Sequence, residues 1–411
     1  YLPPVVTNAE LKSMPKDQPH ELALQEILKN QDSIDIFLVG EASEIENKLT
    51  FKKFKKVKEV KEISSSKRAK SIWVSNKHLD EYLFGAKKKE IESYLDQGFS
   101  VYFFGLEDIN AIRKEFTNQD SFEQDKNPED SMKPRIGYLT KNKEGEIFIG
   151  YILSKKEYLD EKVLETTLSS TWNRRNDFEF TRRPKDEQFK VEMIKKAQAD
   201  SGQDFTIGSD WANVFSWTQY NFTTDYGILT EWKAAFYLKN PIDAKNYFAM
   251  AFEGAMDPGC RYSTCSGGYY SKTLNWISDA DSNGQANLLR TYAPKSKPTT
   301  NTWSFSIGGA YSKSDGPSGT IGATWNFTSS DLTFTDSSAP SSQKMNIIFS
   351  YNNSTYSRNT SWQNASFIYQ TPVTSNVILD NYRKAQFLMH QSVSTTTDTV
   401  DKYYTTTVSK P

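Results

Sequence analysis

A chain of 411 residues is longer than one hydrophobic core usually organises, so two or more folding units are expected. The formal net charge is only −1, from 50 basic and 51 acidic side chains, which excludes a long-range field that would gather nucleic acid. No run approaches the roughly 20 apolar residues of a membrane-spanning helix, so any crossing of a bilayer would have to use strands.

Charged and aromatic residues divide the chain into two parts of different composition. Residues 201–411 carry 15 of the 50 basic and 15 of the 51 acidic side chains, but seven of the nine tryptophans. The first part is therefore highly charged, whereas the second is rich in Ser, Thr and aromatic residues. We predict an α/β module at residues 1–160, a helical connection at 161–204 and a β-rich domain at 205–411.

The first part has the pattern of a parallel α/β sheet. Apolar runs at Ile34–Gly40, Ser71–Ser75 and Phe99–Gly105 predict buried strands, and the charged segments Lys77–Gln97 and Glu107–Asn118 have helical periodicity. Alternating strands and helices favour a three-layer module of Rossmann-like topology. The segment after the first strand, EASEIENK, has no glycine and matches neither phosphate-binding fingerprint, so nucleotide binding is disfavoured.

The second part has the pattern of an antiparallel β-sandwich or barrel. Many short β-type runs are separated by Gly, Pro, Asn and Ser. These runs lie at Ala212–Phe222, Leu229–Leu238, Tyr247–Ala251, Met345–Tyr351, Ser366–Tyr369 and Gln386–Ser394. The predicted fold class is thus α+β and multidomain: a three-layer α/β module followed by an antiparallel β-sandwich domain with an amphipathic hairpin.

That hairpin is the segment Trp303–Phe327, in which each arm alternates a largely apolar face with a small and polar one. The apolar face carries Trp303, Phe305, Ile307, Gly309 and Tyr311 in the first arm and Ile321, Ala323, Trp325 and Phe327 in the second. Gly308 lies on the small face of the first arm, and the turn is supplied by Asp315, Gly316, Pro317 and Ser318. Each arm has about the nine to eleven residues of a tilted membrane strand. An ordinary hairpin with one face on a core gives the same alternation.

The stretch SIGGAYSKSDGPSGTIGATW resembles the stem of the leukocidin/hemolysin-type β-barrel pore-forming toxins. The resemblance is specific only over this hairpin and leaves the first 200 residues unexplained. It implies a secreted protein that binds a lipid or glycan receptor on a target-cell membrane, forms a homo-oligomer and inserts one hairpin per subunit. The alternative is a secreted adhesin or carbohydrate-binding protein that does not insert.

The only two cysteines, Cys260 and Cys265, lie close together in the run CRYSTC. A local disulfide is the favoured interpretation, with free thiols as the alternative, and it indicates an extracellular setting. Half a zinc site is disfavoured because the chain has no second cysteine pair and its three histidines are scattered. Without a nucleophile elbow, an HExxH motif or a defensible carboxylate pair, we expect no enzyme.

Two further groups are candidates for binding. Asp279, Asp281 and Asn283 match the opening of a calcium loop, but Arg290 stands where a bidentate Glu is expected, so a plain turn is favoured and no other cofactor is expected. Four aromatic residues would suit a membrane or a glycan if exposed, whereas core positions are commoner. They are Trp211, Trp217, Tyr220 and Trp232.

Overall fold

The computed structural model describes residues 34–40, 54–63, 69–126, 132–141, 145, 147–155, 203–207, 211–239, 245–258, 269–294, 303–307, 332–351, 361–390 and 395–411. Nearly all of the helical connection predicted at residues 161–204 lies outside these ranges. Among the described residues, no helix combines the length and mean hydropathy that a membrane-spanning helix needs.

Strands dominate the described chain and helices are few. The strands are β1 (Ile34–Val39), β2 (Phe54–Val57), β3 (Ala69–Val74), β4 (Ser100–Phe104), β5 (Phe122–Asp125), β6 (Lys133–Lys141), β7 (Ile147–Ser154), β8 (Gln203–Ile207), β9 (Trp211–Thr223), β10 (Gly227–Leu238), β11 (Asn246–Pro258), β12 (Tyr269–Asp279), β13 (Leu288–Ala293), β14 (Trp303–Ile307), β15 (Leu332–Asp336), β16 (Lys344–Tyr351), β17 (Ser361–Thr371), β18 (Asn376–His390) and β19 (Thr395–Ser409). The α-helices are α1 (Leu79–Tyr82), α2 (Lys88–Asp96) and α3 (Ala111–Phe116).

The predicted parallel strands are confirmed. Strand β1 pairs in parallel with β2 and β3, and β3 pairs in parallel with β4. The buried apolar side chains of all three α-helices join one core cluster, on the face of the sheet that carries Phe37 and Val39. Within the described residues the helices thus cover a single face, and the chain is mainly β where the sequence predicted a three-layer module.

The boundary predicted near residue 160 does not separate two sheets. Strands β4, β6 and β7 pair antiparallel in that order, and β7 then pairs in parallel with β9 of the second part. The result is one sheet of eleven strands in the order β13-β17-β11-β10-β9-β7-β6-β4-β3-β1-β2. The change in composition near residue 200 therefore falls within one sheet, between the neighbouring strands β7 and β9.

A second sheet of six strands packs against the first. Its order is β15-β16-β12-β18-β19-β5 and every pair in it is antiparallel, which is compatible with the predicted sandwich. Strand β16 shows the expected alternation, with Met345, Ile347 and Phe349 buried. The rings of Phe252 and Trp276 stack across the two sheets at 6.4 Å. One core therefore joins both sheets.

Strand β10 is buried along its whole length because both of its faces are covered. Leu229, Ala235 and Tyr237 belong to the core between the two sheets, whereas Trp232 and Phe236 belong to a second cluster on the opposite face. A strand covered on both faces carries no side chain to solvent, so each of its polar residues needs a partner inside the protein.

We predict that Gly150→Ala destabilises the fold. Gly150 lies on β7 opposite Tyr138, whose ring occupies the space that a Cβ at position 150 would need. The tyrosine is buried and stacks on Tyr102, so it has little room to move. The free energy of unfolding, measured by urea denaturation, should fall by about 1–3 kcal/mol. The exposed substitution Thr335→Ala is the control and should leave the urea midpoint nearly unchanged; equal midpoints for both variants would contradict the prediction.

Candidate functional site

The start of the predicted hairpin forms its own small sheet. Strand β14 pairs in parallel with β8 over five residue pairs, from Trp303 opposite Gln203 to Ile307 opposite Ile207. Among the described residues these two strands belong to neither large sheet. The rest of the segment, including Gly308, Gly309, Tyr311, Gly316, Pro317, Ile321, Ala323, Trp325 and Phe327, lies outside the described residues, so the pairing of its two arms stays a prediction.

This attachment is slight beside the pairing of the main sheets. Strands β18 and β19 form an uninterrupted ladder of fifteen residue pairs, from Asn376 opposite Ser409 to His390 opposite Thr395. A two-stranded ribbon is only marginally stable alone, and sheets gain stability from third strands and a shared core. The backbone ladder that holds β14 can therefore open without unpairing a strand of either large sheet.

The aromatic residues proposed as surface contacts are in the core instead. Trp211, Tyr220 and Trp232 are each no more than 5% exposed. The ring of Tyr220 stacks on Tyr151 at 6.0 Å, and that of Trp232 stacks on Phe148 at 4.7 Å. In this conformation these three side chains are not accessible to a lipid or a glycan, so they are core residues. The side chain of Trp217 is not among the described ones.

The loop proposed for calcium is a turn that satisfies its own backbone. Asp279 Oδ1 accepts a hydrogen bond from the Asp281 backbone N–H at 3.2 Å, and Asp281 Oδ1 accepts one from Ala286 at 2.9 Å. The side-chain amide of Asn283 donates to Ser282 Oγ at 3.1 Å. In the described part of the chain no three His, Cys, Asp or Glu side chains are grouped to hold a metal. These hydrogen bonds are those of a plain turn.

The two cysteines, Cys260 and Cys265, fall between β11 and β12 and lie outside the described residues. The disulfide stays a prediction.

A buried group of charged side chains lies between the two sheets. Glu123 of β5 and Lys233 of β10 are both fully buried and form an ion pair. Lys233 Nζ also donates to Thr406 Oγ1 of β19 at 2.6 Å, and Thr406 Oγ1 is 3.1 Å from Glu123 Oε1. The amide of Asn381 donates to the same hydroxyl at 2.8 Å. Strands of both sheets thus meet at one closed polar contact.

A second buried ion pair lies beside the first. Arg383 Nε of β18 is 2.5 Å from Glu231 Oε2 of β10, and Trp276 Nε1 donates to the same oxygen at 3.3 Å. The Arg383 guanidinium lies 4.8 Å from the centre of the Tyr404 ring, a cation–π geometry. We call Glu123, Lys233, Glu231 and Arg383 the buried charge cluster. Its two anions and two cations sum to no net charge.

The environment shifts the pKa values of this cluster in opposite directions. Burial opposes ionisation of Glu123, but the charges of Lys233 and Arg383 and hydrogen bonds outweigh burial and lower the pKa of Glu123 to about 2. Burial dominates at Glu231 and raises the pKa of that carboxyl despite Arg383. Burial also lowers the pKa of Lys233 to about 8, although Glu123 pulls it upward. At neutral pH the Glu123–Lys233 pair is therefore ionised.

The buried charge cluster is costly because its hydrogen bonds are incomplete. Among the described residues, Nη1 and Nη2 of Arg383, Oε1 of Glu231 and Oε2 of Glu123 have no hydrogen-bond partner. Burying a polar group without a hydrogen-bond partner costs free energy. The cluster is closed to solvent and so holds the two sheets together rather than presenting its charges to a ligand.

The buried charge cluster is not among the sites predicted from the sequence. Its signal was present in the β10 run GILTEWKAAFYL, where Glu231 and Lys233 share the strand face of Leu229 and Ala235 by twofold periodicity. Two charges of opposite sign at core-facing positions of an otherwise uncharged strand predict a buried pair. Their partners, Glu123 and Arg383, come from strands more than a hundred residues away and have no comparable local signal.

No protein-family model matches the chain, and no curated protein matches its sequence. Three solved structures align with parts of it. Clostridium perfringens delta-toxin aligns at 9% identity and a TM-score of 0.28, covering 50% of this chain and 98% of its own. A structure titled only as a pore-forming protein aligns at 11% identity and a TM-score of 0.26, covering 48% of this chain and 87% of its own.

The third structure is the Clostridium perfringens NetB toxin in its membrane-inserted form, with 10% identity and a TM-score of 0.21. It covers 47% of this chain and 91% of its own length. Each alignment leaves about half of this chain outside the match. Similarities at this level do not establish a shared fold.

We predict that Glu123→Gln is strongly destabilising and that a second substitution reverses most of the loss. Glu123→Gln leaves the buried Lys233 ammonium without its counter-charge, which should lower the free energy of unfolding by roughly 3–5 kcal/mol. In the double variant with Lys233→Met both charges are gone, and stability should return to within about 1–2 kcal/mol of the unsubstituted protein. Urea denaturation measures both; equal losses in the single and double variants would refute the pairing.

The low pKa of Glu123 also predicts acid sensitivity. A carboxylate whose folded-state pKa lies below its unfolded value near 4.5 stabilises the fold above that pH, and this contribution is lost as pH falls towards about 2. Stability, followed as urea midpoint at a series of pH values, should therefore decline more steeply below pH 4.5 in the unsubstituted protein than in the Glu123→Gln/Lys233→Met variant. Glu231 has the opposite sign because its pKa is raised, and it is present in both proteins. Parallel curves would rule out this role for Glu123.

Proposed function

We propose that this protein is a secreted pore-forming protein that inserts the segment Trp303–Phe327 into a target membrane as a hairpin of two strands. The observation that carries the proposal is the sequence of that segment. In both arms a largely apolar face alternates with a face of small or polar residues, and the only charged residues of the segment, Lys313 and Asp315, lie at or beside the turn. Such arms can offer one face to lipid and the other to water.

The position of the hairpin supports the proposal. Its first strand, β14, is held among the described residues by the five-pair ladder to β8 and not by either large sheet. A segment that moves into a membrane has to leave its place without unfolding the rest of the protein. Local opening of this kind costs less where few backbone hydrogen bonds have to break.

The membrane itself requires more than one copy of the chain. In the hydrocarbon core every backbone N–H and C=O needs a partner, so strands can cross only as part of a closed barrel. One hairpin supplies two strands, which cannot close. A homo-oligomer on the membrane is therefore part of the proposal, with a lipid or glycan of the target cell as the initial partner.

The proposed activity is not enzymatic, because the hairpin would perforate the membrane without a chemical step. A secreted adhesin or glycan-binding protein is the competing function, and the two differ in whether β14 has to leave β8.

A disulfide clamp across β8 and β14 tests this requirement. Thr206 and Ser306 are register partners, and neighbouring strands lie about 4.8 Å apart, within the Cα separation that a disulfide spans. We expect the oxidised Thr206→Cys/Ser306→Cys variant to lose most dye release from liposomes of mixed phospholipid and sterol, and a reducing agent to restore it. The background carries Cys260→Ser and Cys265→Ser and is first shown to be lytic.

The matched control is Lys384→Cys/Asp401→Cys, which joins register partners of β18 and β19 that need not separate. This variant should stay lytic when oxidised. Full lysis by the oxidised clamp between β8 and β14, or no lysis by the unsubstituted protein on whole-cell lipid extracts, would reject pore formation through this hairpin.

A further inference from the structure

The first part of the chain contacts the second over an extended and largely buried surface. Strand β7 contributes six parallel residue pairs with β9, from Ile149 opposite Thr218 to Ser154 opposite Thr223. Side chains reinforce this ladder, since Thr223 Oγ1 donates to the Leu153 carbonyl at 2.7 Å. Backbone pairing in the centre of an eleven-stranded sheet is not the contact of a loosely tethered domain.

A short segment before β6 joins both sheets at once. Ser121 Oγ donates to the Val214 carbonyl of β9 at 2.6 Å and accepts from the Ser409 backbone N–H of β19 at 3.0 Å. The following strand, β5, forms the edge of the six-stranded sheet, and its Glu123 provides the counter-charge of the buried Lys233. This segment is thus placed between strands that lie on opposite sides of the core.

Two cationic side chains extend the contact on either side. Arg113 of α3 is 2% exposed, donates from Nη2 to Thr218 Oγ1 at 2.5 Å and lies 3.6 Å from the centre of the Phe215 ring. On the other side, Lys126 Nζ is 2.6 Å from Asp380 Oδ2 of β18. Removing the first part would expose β9 and leave charges of the second part without their partners.

We propose that residues 34–155 are a permanent part of the folded body, docked on β9, β10 and β19, and that cleavage between the two parts does not release them. The surface formed by these three strands is a binding site whose occupant is the first part of the same chain. The first part is then not a removable pro-segment, and processing between residues 156 and 202 would leave both fragments bound to each other. This inference concerns the folded body before any membrane step and does not rest on the proposed function.

The proposal is tested by cutting the full-length protein after it has folded. A recognition sequence for a specific protease is inserted between residues 185 and 186, and complete cleavage is confirmed by denaturing electrophoresis. On native size-exclusion chromatography at micromolar concentration, the two fragments should elute together at the position of the uncut protein. Separate elution of the fragments in native buffer would overturn the proposal.

A variant series assigns the attachment to the buried contact. The cut protein is titrated with urea and the concentration that separates the fragments is measured. Glu123→Gln should lower that concentration clearly, whereas Lys114→Gln, which removes an exposed ion pair with Asp108 within the first part, should leave it unchanged. If Glu123→Gln does not accumulate as folded protein, Ser121→Ala replaces it and should lower the same concentration; no shift in either variant would reject the assigned contact.

No membrane is used in these measurements. Fragments that co-elute, together with an uncut protein that fails the separate liposome test, would reject the proposed function and leave this inference intact. Fragments that separate while the uncut protein lyses membranes would reject this inference alone.

Discussion

The fold depends on how four charges are neutralised without water. Glu231 and Lys233 face the core from a strand whose two faces are both covered, so neither side chain can turn to solvent. Their counter-charges, Arg383 and Glu123, are supplied by the opposite sheet. Because a buried charge without a partner costs several kcal/mol, the two sheets are restricted to the register in which both pairs form. Shape complementarity alone would allow small shifts between two apolar faces.

This constraint connects the two parts of the chain, since Glu123 is the one member of the buried charge cluster that precedes residue 160. The second part, folded alone, would bury Lys233 with no anion from β5. The parallel pairing of β7 with β9 also makes the second part depend on the first, because without β7 the strand β9 would present an open edge to solvent. Backbone pairing and charge neutralisation therefore both require the first part.

Local features of this fold could be predicted from the sequence, and its connections could not. The apolar runs around β1, β3 and β4 end in glycine or polar residues, and period-two alternation is plain in β16, so these strands were found. The pairing of β7 with β9 cannot be predicted in this way, because the composition of the chain changes between the two strands. The local sequence of a strand does not determine which distant strand it pairs with.

The charged residues escaped for a related reason. Lysine and glutamate are almost never fully buried unless paired, so Glu231 and Lys233 would be assigned to a solvent face from composition alone. However, both residues lie in phase with Leu229 and Tyr237 along the strand, and this position indicates that they face the core. The aromatic residues of β9 and β10 present a similar ambiguity, because aromatic side chains suit either a binding surface or a core. Only the structure, in which both faces of the sheet are covered, shows that they belong to the core.

The two large sheets, which are expected to stay folded, differ in their contacts from the segment proposed to move into a membrane. Charges, long ladders and aromatic stacks fix the two large sheets, and each of these contacts is lost abruptly when its partner shifts. The segment Trp303–Phe327 carries only two charged residues and many small ones, and its first strand, β14, has a five-pair ladder to β8. A protein that releases one segment while keeping its body intact needs this difference in stability between the two.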